Sequence, residues 1–536
     1  MIKKLLFPVL LLLLAAQVYS QVVYTPLYSG VYEFLERMSI KQLITLDDEV
    51  KPYSRQYIAD QLAELSSKTD LLNNTEKKLL GFYEKEYAYE LNNAGNERWY
   101  LFSYGDSLFS AKLSPIAGYG ISGTGSNNGH TRWVGFSTFA TYKNWFGASF
   151  DVRDKGQFGD NVDKNKSFSP ETGAAFKNAP DGIEFNDVKG SMNFNWNWGS
   201  VSIIKDYFQW GHEKFGNLYL STKAPDYPRI ELHLKPLPWL RFSYIHGWLN
   251  SQLIDSSSIH YEHTESISPR IKEAYINKYI AANMLTISPI TSLDISVGNS
   301  FVYSGDLRPE MFIPFLFFKW LDHNTGRLSV DDGNGTIFTD ISVKYPKEFQ
   351  FYTSLFIDVA NIRNLLNNSS ENTSIGYTFG VKKVDLLLNN LDLTVEYTRI
   401  NPWVYENKYQ SADYKHINFS LGHWLGQNAD QVRVQFNYQP VRGLKFEAYA
   451  ERVRKGGLDD IFFAYQGMDE FNKSFLYSPL RTDKIFGLNV SYEYMHDMII
   501  EGKYRYSSIT DEDPERTQDF LLGKKNSFSL TLYYGM

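Results

Sequence analysis

A two-residue alternation of apolar and polar side chains is the feature that most constrains this chain, and it begins near Trp99. Period two places successive side chains on opposite faces of a β-strand, so the two faces of each strand differ in polarity. The alternation is clearest in residues 192–198, 230–235, 391–398, 431–438, 444–448, 488–494 and 528–534. We count roughly 18 to 20 such strands, and closed bacterial barrels use an even number.

Both a soluble sandwich and a membrane barrel produce this alternation, but two features favour the barrel. The strands continue from Trp99 almost to the last residue, farther than in a usual single sandwich. Tight turns also alternate with long polar connections, as in barrels that have short periplasmic turns and long outer loops. The tight turns are residues 235–238 and 439–443, and the long connections are residues 154–181, 252–272 and 454–483.

We therefore predict an all-β transmembrane barrel of about 18 antiparallel strands over residues 96–536. The aromatic content of 16% suits a barrel with aromatic girdles at both membrane interfaces. A net charge of −7 argues against nucleic acid as a partner, because phosphate binding needs a basic surface. A barrel of this size encloses a wide lumen, and the sequence leaves open whether that lumen is filled.

The first 20 residues have the layout of a secretory signal peptide. Lys3 and Lys4 precede an apolar run at 5–16, and Val18 and Ser20 supply small residues before a cleavage site at Gln21. The apolar run is shorter than the roughly 20 residues that span a bilayer, which argues against a membrane anchor. Cysteine is absent, so we expect neither disulfides nor thiolate metal sites. These features predict export to the cell outer membrane.

Residues 21–95 predict a small periplasmic domain of three amphipathic helices. The first helix covers residues 31–38, the second follows an N-cap at Ser54, and the third runs from about Asn74 toward Leu91. Residues 32–65 also loosely resemble an S-layer-homology repeat, which would tether the barrel to peptidoglycan. A packing domain is the preferred interpretation, because only one copy of the repeat is present.

No enzyme signature is present, and we predict no catalytic residue, cofactor or metal ion. His260 and His263 lie near two glutamates, but their spacing matches no metal-ligand motif, so a solvated loop is preferred. Residues 331–335 resemble a calcium loop without its terminal glutamate, which favours a turn. An outer-wall hydrolase would need a Ser–His pair near the membrane boundary, and no motif indicates one.

Three aromatic residues, Trp403, Tyr405 and Trp424, are candidates for stacking against sugar rings. The alternative for each is anchoring at the membrane interface. The apolar stretch from Phe312 to Trp320 is either a loop folded into the barrel or onto the lipid boundary, or a girdle at a strand end.

The run from 208 to 230 resembles the signature of the Wzi capsule-assembly family. The resemblance rests on Trp210 and Gly211, on Gly216, on a Leu-x-Leu-Ser that ends at Ser221, and on an Ala-Pro shortly before Pro228. Further stretches that fit are 243–249, 304–320, 396–405 and 421–430. The resemblance covers the chain from about Trp99 onward and is closest to the branch found in Bacteroidetes-type bacteria.

The resemblance implies a non-enzymatic outer-membrane barrel with a periplasmic helical domain that binds capsular polysaccharide at the cell surface. The implied partners are the polysaccharide, outer-membrane lipid and the barrel-assembly machinery. Many weak sugar contacts would together give firm retention through multivalency. The alternative function is a porin-like diffusion channel for small solutes, which would need an open polar lumen.

Overall fold

The computed structural model describes residues 23–143, 145–160, 162, 175–262, 270–320, 333–359, 374–458, 461 and 474–535. The predicted signal peptide at 1–20, the side chains of His263 and its neighbouring glutamates, and Asp331 and Asp332 of the calcium-like loop lie outside the described residues. No helix within the described ranges has the length and apolar character needed to cross a bilayer.

Three helices precede the barrel and follow the predicted amphipathic pattern. They are α1 Val31–Ile40, α2 Arg55–Ser66 and α3 Asn74–Glu86. Ser54 caps α2 as expected, because its side chain accepts a hydrogen bond from the Tyr57 N–H at 3.2 Å. Asn73 and Glu76 form a capping box at α3, which ends at Glu86 rather than near Leu91. The apolar faces of the helices pack into one small core.

Eighteen antiparallel strands then close into a barrel, which confirms the predicted fold and strand number. The strands are β1 Phe109–Thr124, β2 Asn127–Tyr142, β3 Phe146–Gly159, β4 Gly182–Trp196, β5 Gly199–Lys205, β6 Pro228–Leu237, β7 Leu240–Ile254, β8 Tyr275–Ile290, β9 Leu293–Ser304, β10 Asn334–Val343, β11 Phe349–Val359, β12 Ser374–Lys383, β13 Leu391–Ile400, β14 Ala429–Val441, β15 Leu444–Lys455, β16 Arg481–Met495, β17 Met498–Asp511 and β18 Gly523–Tyr534. The last strand pairs with the first, with Tyr534 opposite Ala117. The closed ring therefore leaves no free sheet edge among these strands.

The two faces of the wall differ as the alternation predicts. In β13, Asp392, Thr394 and Glu396 point into the barrel and are buried. The opposite face carries apolar side chains that are exposed around the whole barrel, a surface suited to hydrocarbon. Representative members are Tyr119, Val134, Phe150, Met192, Leu285, Phe379, Phe436, Leu488 and Leu530.

The connections divide the barrel into a short-turn end and a long-loop end. The short-turn end has connections such as Arg442-Gly443, where Gly443 adopts φ +90°, a conformation that favours glycine. The long-loop end carries every long connection, including the three that the sequence predicts.

The helical domain packs against the short-turn end and sends charged side chains into the lumen. Glu36 pairs with Lys382 at 2.9 Å, and Asp48 pairs with Lys344 at 2.8 Å. Arg37 of α1 pairs with Asp392 of β13. The Phe82 ring also stacks on the His496 ring in the turn after β16, with centroids 3.7 Å apart. This end of the barrel is therefore covered by a docked domain.

Two connections from the long-loop end fold inward and fill part of the lumen. We call residues 206–227 the first lumen segment and residues 401–428 the second lumen segment. Their apolar side chains form one core with inward-facing wall residues such as Ile245, Phe338 and Phe356. In the helical domain, Val50 pairs with Trp210 and Lys51 with Gln209 of the first lumen segment. This short strand pairing joins the helical domain to the lumen segments.

The apolar stretch after β9 lies on the outer wall, over β7–β9. Met311 and Phe318 pack against outward-facing residues such as Phe242 and Phe301. Backbone carbonyls of Pro314 and Leu316 each accept a hydrogen bond at 2.8 Å from the outward-facing Asn283. Of the two sequence-based interpretations, the structure supports a segment folded onto the lipid boundary.

Candidate functional site

The signature residues build the first lumen segment rather than an exposed surface. Trp210 is fully buried against Tyr219, with ring centroids 5.8 Å apart. The Ser221 N–H donates to the Leu421 carbonyl at 2.8 Å, and its hydroxyl donates to the Gly422 carbonyl. Pro228 is exposed and begins β6. The signature residues therefore contribute to the contact between the two lumen segments.

Gly211 and Gly216 are required by the backbone and by close packing. Both have positive φ angles, +112° and +149°, which L side chains rarely adopt. A Cβ on Gly216 would lie 2.6 Å from His423 Nε2 and 3.0 Å from Trp424 Cδ1. Gly216 therefore creates the space that the Trp424 indole occupies.

The three aromatic candidates are in different environments. Trp403 and Tyr405 are buried in the second lumen segment, at 4% and 1% exposure. The Tyr405 hydroxyl donates to the Leu218 carbonyl at 2.6 Å, and its ring packs between Phe356 and Tyr414. In this structure neither ring offers a face to a sugar, and both rings contribute to packing inside the lumen. Trp424 is only half-buried.

Trp424 belongs to a line of rings and cations that runs along the lumen side of β14 and β15. We call Phe215, Trp424, Arg433, Tyr449 and Lys455 the aromatic–basic row. The Arg433 guanidinium lies 4.4 Å from the Phe215 ring centroid and 4.0 Å from that of Tyr449. Lys455 Nζ lies 5.4 Å from the Trp424 ring centroid. The Trp424 indole N–H donates to the Phe215 carbonyl at 2.9 Å, which fixes the orientation of the indole.

Arg433 and Lys455 lie in the parts of β14 and β15 nearest the long-loop end, and Tyr449 lies near the middle of β15. All five side chains of the aromatic–basic row are half-buried, so they are partly accessible beside the packed core. An aromatic ring offers an apolar face to the C–H surface of a sugar, while charged neighbours bind hydroxyls or acids. The arrangement therefore suits a carbohydrate chain entering from the long-loop end.

A second charged cluster joins the helical domain, the first lumen segment and the wall. The fully buried His212 ring contacts Asp340 of β10 through Nδ1 and Asp48 through Nε2, the latter at 3.0 Å. Burial opposes a charged ring, but the two carboxylates raise the pKa of His212 to about 10. His212 is therefore an imidazolium at neutral pH that cross-links three parts of the molecule.

The same cluster contains three residues of metal-ligand type. Asp48, His212 and Asp294 could each offer a ligand atom. Lys344 and Arg241 already pair with the two carboxylates, at 2.8 Å each, so the local negative charge is largely balanced without a cation. We therefore interpret this cluster as an ion-pair network.

His260, from the predicted loop cluster, bonds the Ser258 carbonyl at 2.9 Å.

One Ser–His contact occurs on the inner wall, whereas an outer-wall hydrolase would need such a pair on the outer face. His233 Nδ1 lies 3.0 Å from Ser243 Oγ, and His233 Nε2 lies 3.3 Å from Glu231. Ser243 is buried, and its neighbours pair within the β6–β7 ladder, which uses their backbone N–H groups. An oxyanion hole needs free, converging N–H donors. The contact therefore lacks the surroundings of a hydrolase site.

Sequence reasoning missed Arg433, Tyr449, Lys455 and His212 as residues of interest. The first three lie on ordinary alternating strands, and only the closed barrel brings them beside Phe215 and Trp424. His212 follows the signature glycine directly, but its two acidic partners are distant in the sequence. The order of residues alone gives no signal for either arrangement.

Comparison with solved structures finds a protein with the same fold and others that are less similar. The Escherichia coli outer-membrane protein Wzi, described as a carbohydrate-binding β-barrel involved in group 1 capsule assembly, is 12% identical with a TM-score of 0.58. The match covers 96% of this chain and 100% of that one, and at this identity it shows the fold alone. Pseudomonas aeruginosa OprD is 9% identical with a TM-score of 0.39, covering 79% of this chain and 94% of that one.

No curated protein matches the chain by sequence. The family model for the capsule assembly protein Wzi matches residues 89–520, which is most of the chain. That range includes the signature segment, both lumen segments and nearly all of the barrel. The resemblance inferred from the sequence is confirmed at the level of the family, and the chain belongs to the capsule assembly protein Wzi family.

Proposed function

We propose that this protein is an outer-membrane barrel that binds capsular polysaccharide and holds it at the cell surface. The observation that carries the proposal is the aromatic–basic row, which combines aromatic rings and cations beside the lumen segments. Family membership supports the same role. The E. coli protein of the same fold is described as carbohydrate-binding, and we extend that property to this chain.

The asymmetry of the barrel supports one orientation in the membrane. The exposed apolar belt faces outer-membrane lipid, the long-loop end faces the exterior, and the helical domain at the short-turn end lies in the periplasm. Residues 1–20 serve as a signal peptide and residues 21–95 as the periplasmic domain, and the barrel-assembly machinery inserts residues 96–536. The chain comes from the Bacteroidetes-type branch of the family. We infer a binding protein without a catalytic step.

The partial filling of the lumen favours binding over diffusion. A porin-like channel needs a continuous polar path, but the core of the two lumen segments and the docked helices occupy the interior on the β7–β13 side. Retention of a polymer needs no such path, because many weak contacts along one chain add up. The row offers several such contacts at the end where a surface polymer would approach.

Direct binding of the purified protein to polysaccharide tests this proposal. Full-length protein in detergent would be immobilised, and polysaccharide extracted from the surface of the producing strain would be passed over it. We expect saturable binding that a Trp424→Ala, Tyr449→Ala double variant weakens strongly. A variant of an outward-facing aromatic, Phe528→Ala, is the matched control and should bind normally. Equal binding by all three proteins would contradict the proposed site.

A further inference from the structure

The lysine of the aromatic–basic row has an unusual electrostatic environment. Lys455 ends β15, and its Cα lies directly opposite that of Arg481 in β16. Like charges directly opposite each other on one sheet face are destabilising. Two cationic residues therefore stand opposite each other where the row meets the long-loop end.

The neighbouring acids are already engaged by other cations. Asp483 receives two hydrogen bonds from Arg481, both of 2.8 Å, and Asp511 pairs with Arg516 at 2.9 Å. Among the residues that the structure describes, no carboxylate lies within ion-pair distance of Lys455 Nζ. Within that part of the chain the Lys455 ammonium has no carboxylate partner, so it could pair with an anion from another molecule.

Trp424 lies beside Lys455 and provides the neighbouring aromatic ring. Its indole N–H is used by the Phe215 carbonyl at 2.9 Å, so the exposed part of this half-buried ring presents carbon atoms and no donor. Any charge recognition beside that ring must come from a neighbour, and Lys455 Nζ is 5.4 Å from the ring centroid. A six-membered sugar bearing a carboxylate matches this spacing of an apolar surface and a cation.

We infer that Trp424 and Lys455 form a subsite for an acidic sugar, with the sugar ring against the indole and its carboxylate against the lysine ammonium. This inference rests on the proposed function and specifies the chemical class of the polysaccharide. The Lys455 ammonium draws the anionic polymer toward the subsite. Binding at this subsite should weaken as salt concentration rises.

Carboxyl reduction of the polysaccharide separates this inference from the proposed function. The probes are the extracted surface polysaccharide and the same material after carbodiimide activation and borohydride reduction, which converts each carboxylate into a neutral alcohol. We expect the native polymer to bind full-length protein roughly tenfold more tightly than the reduced polymer, the difference expected for one charge-assisted contact. Equal binding of both polymers would overturn the acidic subsite and leave the proposed function standing. Binding of neither polymer would overturn both.

Substitutions then assign the charge to one residue. Lys455→Met keeps the length of the side chain and should lower affinity for the native polymer roughly tenfold, and affinity for the reduced polymer much less. Lys455→Arg should restore most of the affinity. Lys347→Met removes the same charge from an exposed turn at the short-turn end and should change nothing. Unchanged affinity in Lys455→Met, with correct heat-dependent migration of the folded barrel, would refute the assignment.

Discussion

Gly216 occupies a position that a larger residue could take only by moving the neighbouring indole. Its φ of +149° and the 3.0 Å distance between an added Cβ and Trp424 Cδ1 both demand glycine. We expect Gly216→Ala to displace Trp424 and to weaken polysaccharide binding several-fold while the barrel still assembles. The control is Gly502→Ala in β17, where an added Cβ meets no atom within 4 Å. Surface plasmon resonance with extracted polysaccharide would measure both variants.

Substitution by alanine is predicted to lower mainly stability at Trp403 and mainly polysaccharide affinity at Trp424. Trp403 is buried, so Trp403→Ala should cost about 3 to 5 kcal/mol of stability through the cavity that it leaves. Trp424 is half-buried in the row, so Trp424→Ala should lower polysaccharide affinity with a smaller loss of stability. Thermal unfolding and binding measured on both variants check this. A loss of affinity in the folded Trp403 variant as large as in the Trp424 variant would contradict the account.

The sequence predicted Trp424 but could not separate it from Trp403 and Tyr405. All three are aromatic residues among polar neighbours in one connection. Their exposure depends on how that connection folds against Leu218 and Phe356, which are far away in the sequence. Lys455 and Arg433 carried no signal at all, because an inward-facing charge on a barrel strand is ordinary.

At the scale of elements, the sequence pattern predicts the structure where one local contact or one surrounding medium determines the environment of a residue. Strands alternate because one face meets the exterior, and the Ser54 cap is a local hydrogen bond, so both were predictable. The inward folding of residues 206–227 and 401–428 was not predictable, because long polar connections have no period. The segment after β9 allows two interpretations from its sequence, since an apolar run does not indicate which surface it covers.

We expect the His212 cluster to make the stability of the folded protein depend on pH, because the ring contacts two carboxylates. The folded pKa of about 10 lies above the ordinary 6.5, so the charged ring stabilises the fold fully below pH 6.5. That contribution is lost as pH rises toward 10. We expect the difference in melting temperature between wild type and His212→Gln to be largest at pH 6 and to shrink toward pH 10. A constant difference across this range would show that the ring is not charged in the folded protein.

At the scale of the whole molecule, the docked helices and lumen segments should block solute flow. Three acidic residues of the helical domain pair with cations inside the barrel: Glu36 with Lys214, Asp48 with Lys344 and Glu49 with Arg241. Asp48 also contacts His212, which belongs to the first lumen segment. We predict that the purified protein in a planar bilayer gives no large steady current, in contrast to an open porin of similar strand number. Large steady currents would favour the diffusion-channel alternative.

The central claim is that this barrel retains polysaccharide at the cell surface, and gene deletion tests it most directly. Cell-attached and released polysaccharide would be measured in the parent strain, in the deletion strain and after complementation. We predict that deletion shifts polysaccharide from the attached to the released fraction. Wild-type protein should reverse the shift, and a stably inserted Trp424→Ala, Lys455→Met variant should not. Unchanged attachment after deletion would contradict the account.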